Sequence, residues 1–438
     1  MTSRRNFLIG LGALGAAATL TVPVLAIAAT PTGATAVTRV YGDGLRFVAV
    51  ALAYDGDVAA GELDAGAYAV EGRTVTGVYP STSADPADKA ESGPFVIVEL
   101  SDADAAAVLK SEPERGAPPA GASTTGGAAA GGSGGPSWSA GDPNVSGTTW
   151  TEPAATVVTP EAEVTTSAVA NLVVDGFEQR VWNDPVTGDT LAYNLFIPAN
   201  YDPAQSYPLV NFMHDAGACS EDPTFTLKQG LGAISWASPT DQAARPAFVL
   251  APQFAEIVAD DNSNASSMLD TVVNLITALT QEFSIDPARL YTTGQSGGGM
   301  LSIAMNIKYP DFFAATFLVA CQWDAALVAP MAGNRIFIVV SEDDSKAFPG
   351  QTAITDALEA AGASVARATW DATWDAEQYQ TAFDDLIAEG ARVNFVAFAA
   401  GTVFPAGAST EGASGHQNTW RVAYTIEPIR DWILRTNL

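Results

Sequence analysis

Leu290-Tyr291-Thr292-Thr293-Gly294-Gln295-Ser296-Gly297-Gly298-Gly299-Met300 is a G-x-S-x-G between two kinds of sequence. Strand-forming residues, Arg289 to Thr293, precede it, and helical spacing from about Gly297 to Tyr309 follows. A serine there is exposed on a tight strand-to-helix turn, which is what a nucleophile needs. The chain reverses within a residue or two, which strains the serine backbone and leaves no room for neighbouring Cβ atoms, hence the glycines. The N–H of Gly297, opening the helix, would point where an oxyanion forms. The bland alternative is a glycine-rich turn with an incidental serine. Strand before and helix after favour catalysis.

Outward from this turn, strands alternate with helices from about residue 176. Leu191 to Ile197, Pro208 to Met213, Ala247 to Ala251, Thr316 to Ala320, Arg335 to Val340 and Val393 to Phe398 read as strands. Ala247 to Ala251 is expected to end at Pro252, and a helical excursion precedes Val393. Met268, Leu269, Val272, Val273, Leu275, Ile276, Leu279 and Phe283 fall on one helical face. The alternation predicts an α/β fold, a doubly wound, mostly parallel sheet covered by helices on both sides. Reactive groups then collect at the carboxyl ends of the strands.

A serine nucleophile needs a base, and the chain has only 2 histidines, His214 and His416. His214 closes a strand well before the nucleophile. His416, in Gly415-His416-Gln417-Asn418-Thr419-Trp420, follows the last strand as a loop residue before a closing helix. The chain order nucleophile, acid, histidine selects His416. The acid is expected just after the strand Arg335 to Val340, in Ser341-Glu342-Asp343-Asp344-Ser345. Asp344 is the first choice to orient the imidazole and Asp343 the second.

With those residues in place, 176–438 resembles bacterial carboxylesterases of the α/β-hydrolase superfamily that carry an N-terminal immunoglobulin-like domain. Feruloyl-esterase-like and polyester-depolymerase-like hydrolases are its relatives. The resemblance runs through Tyr193-Asn194-Leu195-Phe196-Ile197-Pro198, Leu250-Ala251-Pro252-Gln253 and Ile285-Asp286-Pro287-Ala288-Arg289-Leu290-Tyr291. It continues through Ser296 and Lys308-Tyr309-Pro310-Asp311-Phe312-Phe313-Ala314-Ala315 to His416-Gln417-Asn418-Thr419-Trp420. It implies a Ser296, Asp344, His416 triad with Gly297 and Ala216 as oxyanion donors. Two positions depart from the family's pattern. His-Gly after the third strand is His214-Asp215 here, and Gly298 stands where methionine or a similar residue often follows. Asp215 tolerates a left-handed backbone better than most residues, but its charge would oppose an oxyanion. Trp323 and Trp374 are candidate pocket walls, with core packing the alternative for each.

Upstream, 36–110 is rich in short β-branched and aromatic runs punctuated by turns such as Gly42-Asp43-Gly44, the signature of a small β-sandwich. Residues 111–147 break that pattern, and the glycine-rich stretch 121–136 is expected to be flexible and the first site of proteolysis. Strand-like sequence resumes at Ala155-Thr156-Val157-Val158 and Ala170-Asn171-Leu172-Val173-Val174. It either closes the sandwich or leads into the next domain; closure, giving an immunoglobulin-like domain over 36–174, is favoured. The catalytic domain then spans 175–438. Nothing in 36–174 supplies a triad member, so this domain is expected to support stability or present substrate through a packed interface.

Residues 1–29 read as an export signal. Ser3-Arg4-Arg5-Asn6-Phe7-Leu8 sets paired arginines before an apolar run and resembles a twin-arginine signal, with an ordinary secretory signal or an uncleaved anchor as alternatives. No later stretch is apolar enough to span a bilayer, so an exported, extracellular or envelope location is expected. A net charge of −29 argues against nucleic acid or an anionic membrane surface as partner. Two cysteines, Cys219 and Cys321, allow one disulfide, though free buried thiols are favoured. With so few cysteines and histidines no metal site is expected; Asp260-Asp261-Asn262 is a candidate for calcium, but no EF-hand spacing supports it. No cofactor is expected either. The expected substrate is a small or polymeric carboxylic ester. The rival functions are a peptidase of the same fold and, last, a non-catalytic surface-binding protein.

Overall fold

A computed structural model describes residues 29–111, 139–141 and 148–438. Residues 1–29, expected to be an export signal, lie outside the described residues but for Ala29, as does the stretch 121–136. The first part of the chain is all β. Strands β1 (Pro31–Tyr41), β2 (Gly44–Ala59), β3 (Ala69–Val70), β4 (Val75–Ser81) and β5 (Ser92–Leu100) come first. The short pair β6 (Lys110–Ser111) and β7 (Thr149–Trp150) follows, then β8 (Thr156–Val158), β9 (Glu163–Thr165) and β10 (Ala168–Asn171). They form a five-stranded sheet in the order β10-β1-β2-β5-β4 and a three-stranded sheet β3-β8-β9.

Alternation along β2 explains the sandwich. Val50 and Leu52 enter one buried cluster with Val96, Val98, Tyr68, Val70 and Val157, while Ala49 and Ala51 face the other side with Val37 and Ile97. The sequence after the glycine-rich tract closes this domain. β10 pairs in parallel with β1, Thr35 opposite Ala168, and β8 pairs with β3.

The second part builds one nine-stranded sheet. It begins with β11 (Phe177–Asn183), β12 (Thr190–Phe196) and β13 (Tyr207–Met213), then helices α1 (Phe225–Lys228), α2 (Leu231–Ala237) and α3 (Pro239–Ala244). Next come β14 (Phe248–Gln253), α4 (Met268–Glu282), β15 (Ile285–Gln295), α5 (Gly297–Lys308), β16 (Ala315–Val319) and β17 (Ile336–Ser341). The chain ends with α6 (Ala347–Ala360), β18 (Val365–Trp370), α7 (Ala376–Ile387), β19 (Val393–Phe398), α8 (Ser414–Ala423) and α9 (Glu427–Arg435). The strand order is β11-β12-β14-β13-β15-β16-β17-β19-β18, with β11 and β12 antiparallel and the rest parallel. Strands β13, β16, β17 and β19 are buried along their whole length because helices cover both faces.

Three local expectations are corrected. β14 does not stop at Pro252: it runs to Gln253, with Pro252 opposite Tyr193 on β12. The excursion before Val393 is not all helical, because β18 lies inside it as the last strand of the sheet. Its pattern, half-exposed at an edge, lacks the continuous apolar run of the central strands. His416 is not on a loop but in the first turn of α8.

The two parts share one core. A single buried cluster runs from Val50 and Leu52 of the sandwich to Phe212, Trp236 and Tyr424 of the second part. No helix among the described residues is long and apolar enough to cross a membrane.

Candidate active site

Ser296 stands between the end of β15 and the start of α5, with φ 50° and ψ −120°. Left-handed φ on a non-glycine residue costs about 1–3 kcal/mol and persists only where the surroundings over-determine it. Here the Ser296 N–H donates to Val319 O at 3.1 Å, and its carbonyl accepts from Met300 N at 2.9 Å. Gly298 is pressed onto β13: a Cβ there would lie 2.0 Å from Met213 O. The glycine run is thus a packing requirement.

The structure brings Ser296, His416 and Asp344 together. His416 Nε2 lies 2.9 Å from Ser296 Oγ, and Nδ1 lies 2.5 Å from Asp344 Oδ2. An ionised carboxylate only accepts, so Nδ1 carries the proton donated to Asp344 and the Nε2 lone pair faces the serine hydroxyl. Asp344 is buried, and its Oδ1 accepts from the amides of Lys346 and Ala347 at 3.1 and 2.9 Å. Burial pushes its carboxyl up, but the His416 hydrogen bond and charge, with those two amides, outweigh burial and hold it below the usual carboxylate value. Asp343, the second choice, turns away and accepts from Gly401 N at 2.7 Å. Glu342 likewise accepts from Ala400 N.

Gly297 lies next to Ala216. A Cβ on Gly297 would stand 3.3 Å from Ala216 N, so the start of α5 and the Ala216 turn are in close contact beside Ser296. Asp215 is not left-handed: its φ and ψ are −71° and 165°. Its carboxylate is turned to two donors, Gly217 N at 2.8 Å and Gln295 Nε2 at 2.9 Å. The side chain therefore caps the Ala216–Ala218 turn and ties it to Gln295, the residue before Ser296.

His214 is kept apart from the serine. It is 1% exposed; its Nδ1 donates to Asp215 O at 2.7 Å and its Nε2 accepts from Phe254 N at 2.9 Å. Burial pushes its pKa down, against the opposing pull of the Asp215 carbonyl and charge, so the ring stays neutral and braces the loop that carries Ala216. Three further neighbours escaped the sequence reading. Gln295 and Gln229 meet at 3.3 Å, and the edge of Trp420 meets His416 at 5.0 Å between centroids. Only Trp420 left a signal, the i,i+4 spacing from His416 on one helix.

Of the proposed walls, Trp323 is buried in the core on the α4–α5 side of the sheet. The ring partners of Trp374 are Trp370 and Tyr379, at 6.4 and 5.9 Å, so its contacts are those of core packing. Cys219 and Cys321 are free and buried. Burial pushes the Cys219 thiol up to about 12, so neither it nor the similarly raised Cys321 supplies a thiolate at neutral pH. Asp260 is enclosed by the amides of Asn262, Asn264 and Ala140, and Asp261 pairs with Lys346. No group of three or more metal-binding side chains occurs among the described residues. A cavity of about 760 Å³ lined by Tyr207, Arg245, Arg289 and Asp431 contains no triad residue.

Residues 33–169 match the family model of the esterase Ig-like N-terminal domain. Residues 253–329, which include Ser296, match that of the prolyl oligopeptidase family. A solved structure described as a thermostable esterase aligns with a TM-score of 0.72 at 21% identity, covering 93% of this chain and 100% of that one. The feruloyl esterase module from Clostridium thermocellum, complexed with sinapinate, aligns with a TM-score of 0.38 at 14% identity, covering 57% and 86% of the two chains. No curated protein matches the chain.

Proposed function

We propose that this chain, a serine hydrolase of the α/β-hydrolase fold carrying an esterase-type immunoglobulin-like domain, hydrolyses carboxylic esters through an acyl-enzyme on Ser296. The observation that carries the reading is the hydrogen-bonded chain Ser296–His416–Asp344 at the carboxyl end of β15. Neutral His416 takes the Ser296 proton as Oγ attacks the ester carbonyl. Asp344 holds the imidazole tautomer and balances the imidazolium that forms. The Gly297 and Ala216 amides donate to the oxyanion. His416 then protonates the departing alcohol, and water, activated by the same imidazole, releases the acid. Every step is proton transfer and acyl transfer among these side chains, and no cofactor enters it.

Export suits an enzyme acting on esters outside the cell, and the paired arginines Arg4-Arg5 ahead of an apolar run support it. The substrate is a small or polymeric ester. A peptidase is the second reading, favoured by the prolyl oligopeptidase match over 253–329. Turnover of a series of p-nitrophenyl esters against aminoacyl p-nitroanilides separates the two, with esters expected to be cleaved and anilides not.

The triad is tested with Ser296→Ala and His416→Ala. Each is expected to lower ester turnover by about three orders of magnitude or more, and Ser296→Ala to abolish fluorophosphonate labelling. Near-parental activity in folded His416→Ala would overturn the assignment.

A further inference from the structure

The turn between β1 and β2 belongs to the immunoglobulin-like domain, yet it lies against the helix that carries His416. Gly42 meets α8 at Arg421, where a Cβ would stand 2.8 Å from Arg421 Cα and 2.9 Å from its carbonyl oxygen. Asp43 pairs with the Arg421 guanidinium and also with Arg46 at 2.6 Å. The same guanidinium donates to Asn418 Oδ1 at 2.7 Å, and Asn418 donates back to Ser414 O at 2.9 Å. From Asp43, hydrogen bonds thus run along α8 to its first turn, where His416 sits.

The opposite side of the turn touches the α1–α2 junction. Gly42 O would lie 3.4 Å from a Cβ on Gly230, and Lys228 O 3.5 Å from one on Gly44. Between Lys228 and Gly230 stands Gln229, whose Oε1 accepts from Gln295 Nε2 at 3.3 Å. That amide also donates to Asp215 at 2.9 Å, one residue before Ala216. One turn is therefore wedged between the helix of the base and the relay to the oxyanion loop.

We propose that Gly42 and Asp43 are positioning residues: they seat α8 against the hydrolase body so that His416 stays in hydrogen-bond reach of Ser296. The proposal rests on the triad reading above. Its physical basis is where α8 starts. The segment 399–413 between β19 and α8 contains no helix or strand, and His416 lies only two residues into the helix, where backbone bonds are fewest. In that first turn Gly415 packs on Asp343, where a Cβ would stand 2.7 Å from the Asp343 carbonyl oxygen, and the β1–β2 turn bears on the same helix at Arg421, so the two contacts together set how α8 lies. The side chains of Asp43 and Arg421 are 26% and 29% exposed, and an ion pair of that kind adds little to stability. Its loss should appear in rate rather than in melting. A displacement near 1 Å can cost about a hundredfold in rate, so a smaller shift of His416 is enough to be seen.

The test uses the full chain with Gly42→Ala, which drives a methyl into the Arg421 backbone, and Asp43→Asn, which keeps shape and removes charge. Both are expected to lower kcat on a small soluble ester about tenfold. The second-order rate of fluorophosphonate labelling at Ser296 should fall in parallel, with KM within about twofold and the melting temperature within about 3 °C. Asp43→Glu should restore part of the rate, and adding Asp43→Asn to Arg421→Gln should cost nothing further. Should Gly42→Ala not fold, Asp43→Asn decides. Parental kcat and labelling rate in folded Asp43→Asn and Gly42→Ala, with Ser296→Ala inactive, would overturn the positioning role alone. Ester turnover surviving in Ser296→Ala would overturn the triad reading and this role with it.

Discussion

Asp344 works as an acceptor at both oxygens, one toward His416 and one toward the backbone amides of Lys346 and Ala347. Asp344→Asn would offer an NH₂ or a weaker acceptor to Nδ1 and favour the wrong imidazole tautomer. Turnover should fall by about four orders of magnitude, measured on a soluble ester. Stability supplies a second readout. The folded carboxyl is held below its unfolded value, so ionised Asp344 stabilises the fold above about pH 3.9, and that contribution is lost as pH falls through the folded value. The melting deficit of the variant should therefore be largest near neutrality and close below about pH 4. A deficit independent of pH would mean that lost packing, not charge, is responsible.

At the scale of elements, the elbow works because α5 begins in contact with the end of β13. Gly298 meets Met213 O, Gly294 meets the backbone of Gly298, and Gly299 meets Cys321. Gly298→Ala places a methyl 2.0 Å from a carbonyl oxygen that belongs to a central strand and cannot retreat. Overpacking of this kind costs about 1–3 kcal/mol, so denaturant melts should show a lower midpoint with an unchanged m-value. Turnover should fall too, since the helix that must move carries the Gly297 amide. Parental stability and rate would show that α5 can shift without cost. Gly298, where this chain departs from the pattern of the carboxylesterases it resembles, is thus the site of close backbone contact between strand and helix.

At the scale of the whole molecule, the sandwich and the hydrolase body are joined by buried apolar contacts, Leu52 and Val50 belonging to one cluster with Phe212 and Trp236. Neither part can lose its fold without exposing the other's core. Chemical unfolding should be a single transition, coincident by tryptophan fluorescence and far-UV circular dichroism. Two separated transitions would mean the domains are independent and the interface is weak. A packed interface also changes what the first domain does. It supplies no triad member, yet its β1–β2 turn bears on α8, so support for stability and support for chemistry meet in one contact.

The sequence by itself determined the class of fold and narrowed the chemistry. Alternating strand and helix patterns and one G-x-S-x-G in strand–helix context are local signals, written within a few residues of one another. Two histidines left a choice that chain order could make. Local pattern also misled: Pro252 looked like a strand end and β18 like part of a helical stretch, because pairing partners, not propensity, decided both. Only the tertiary structure decided which of three adjacent carboxylates reaches the imidazole, since loop direction after β17 sets that and adjacent residues share their composition. It also decided that Asp215 faces Gln295 and that Asp43 faces Arg421, 378 positions along the chain. Contacts between residues so far apart leave no periodic trace, because they depend on where two independently formed elements come to rest against each other.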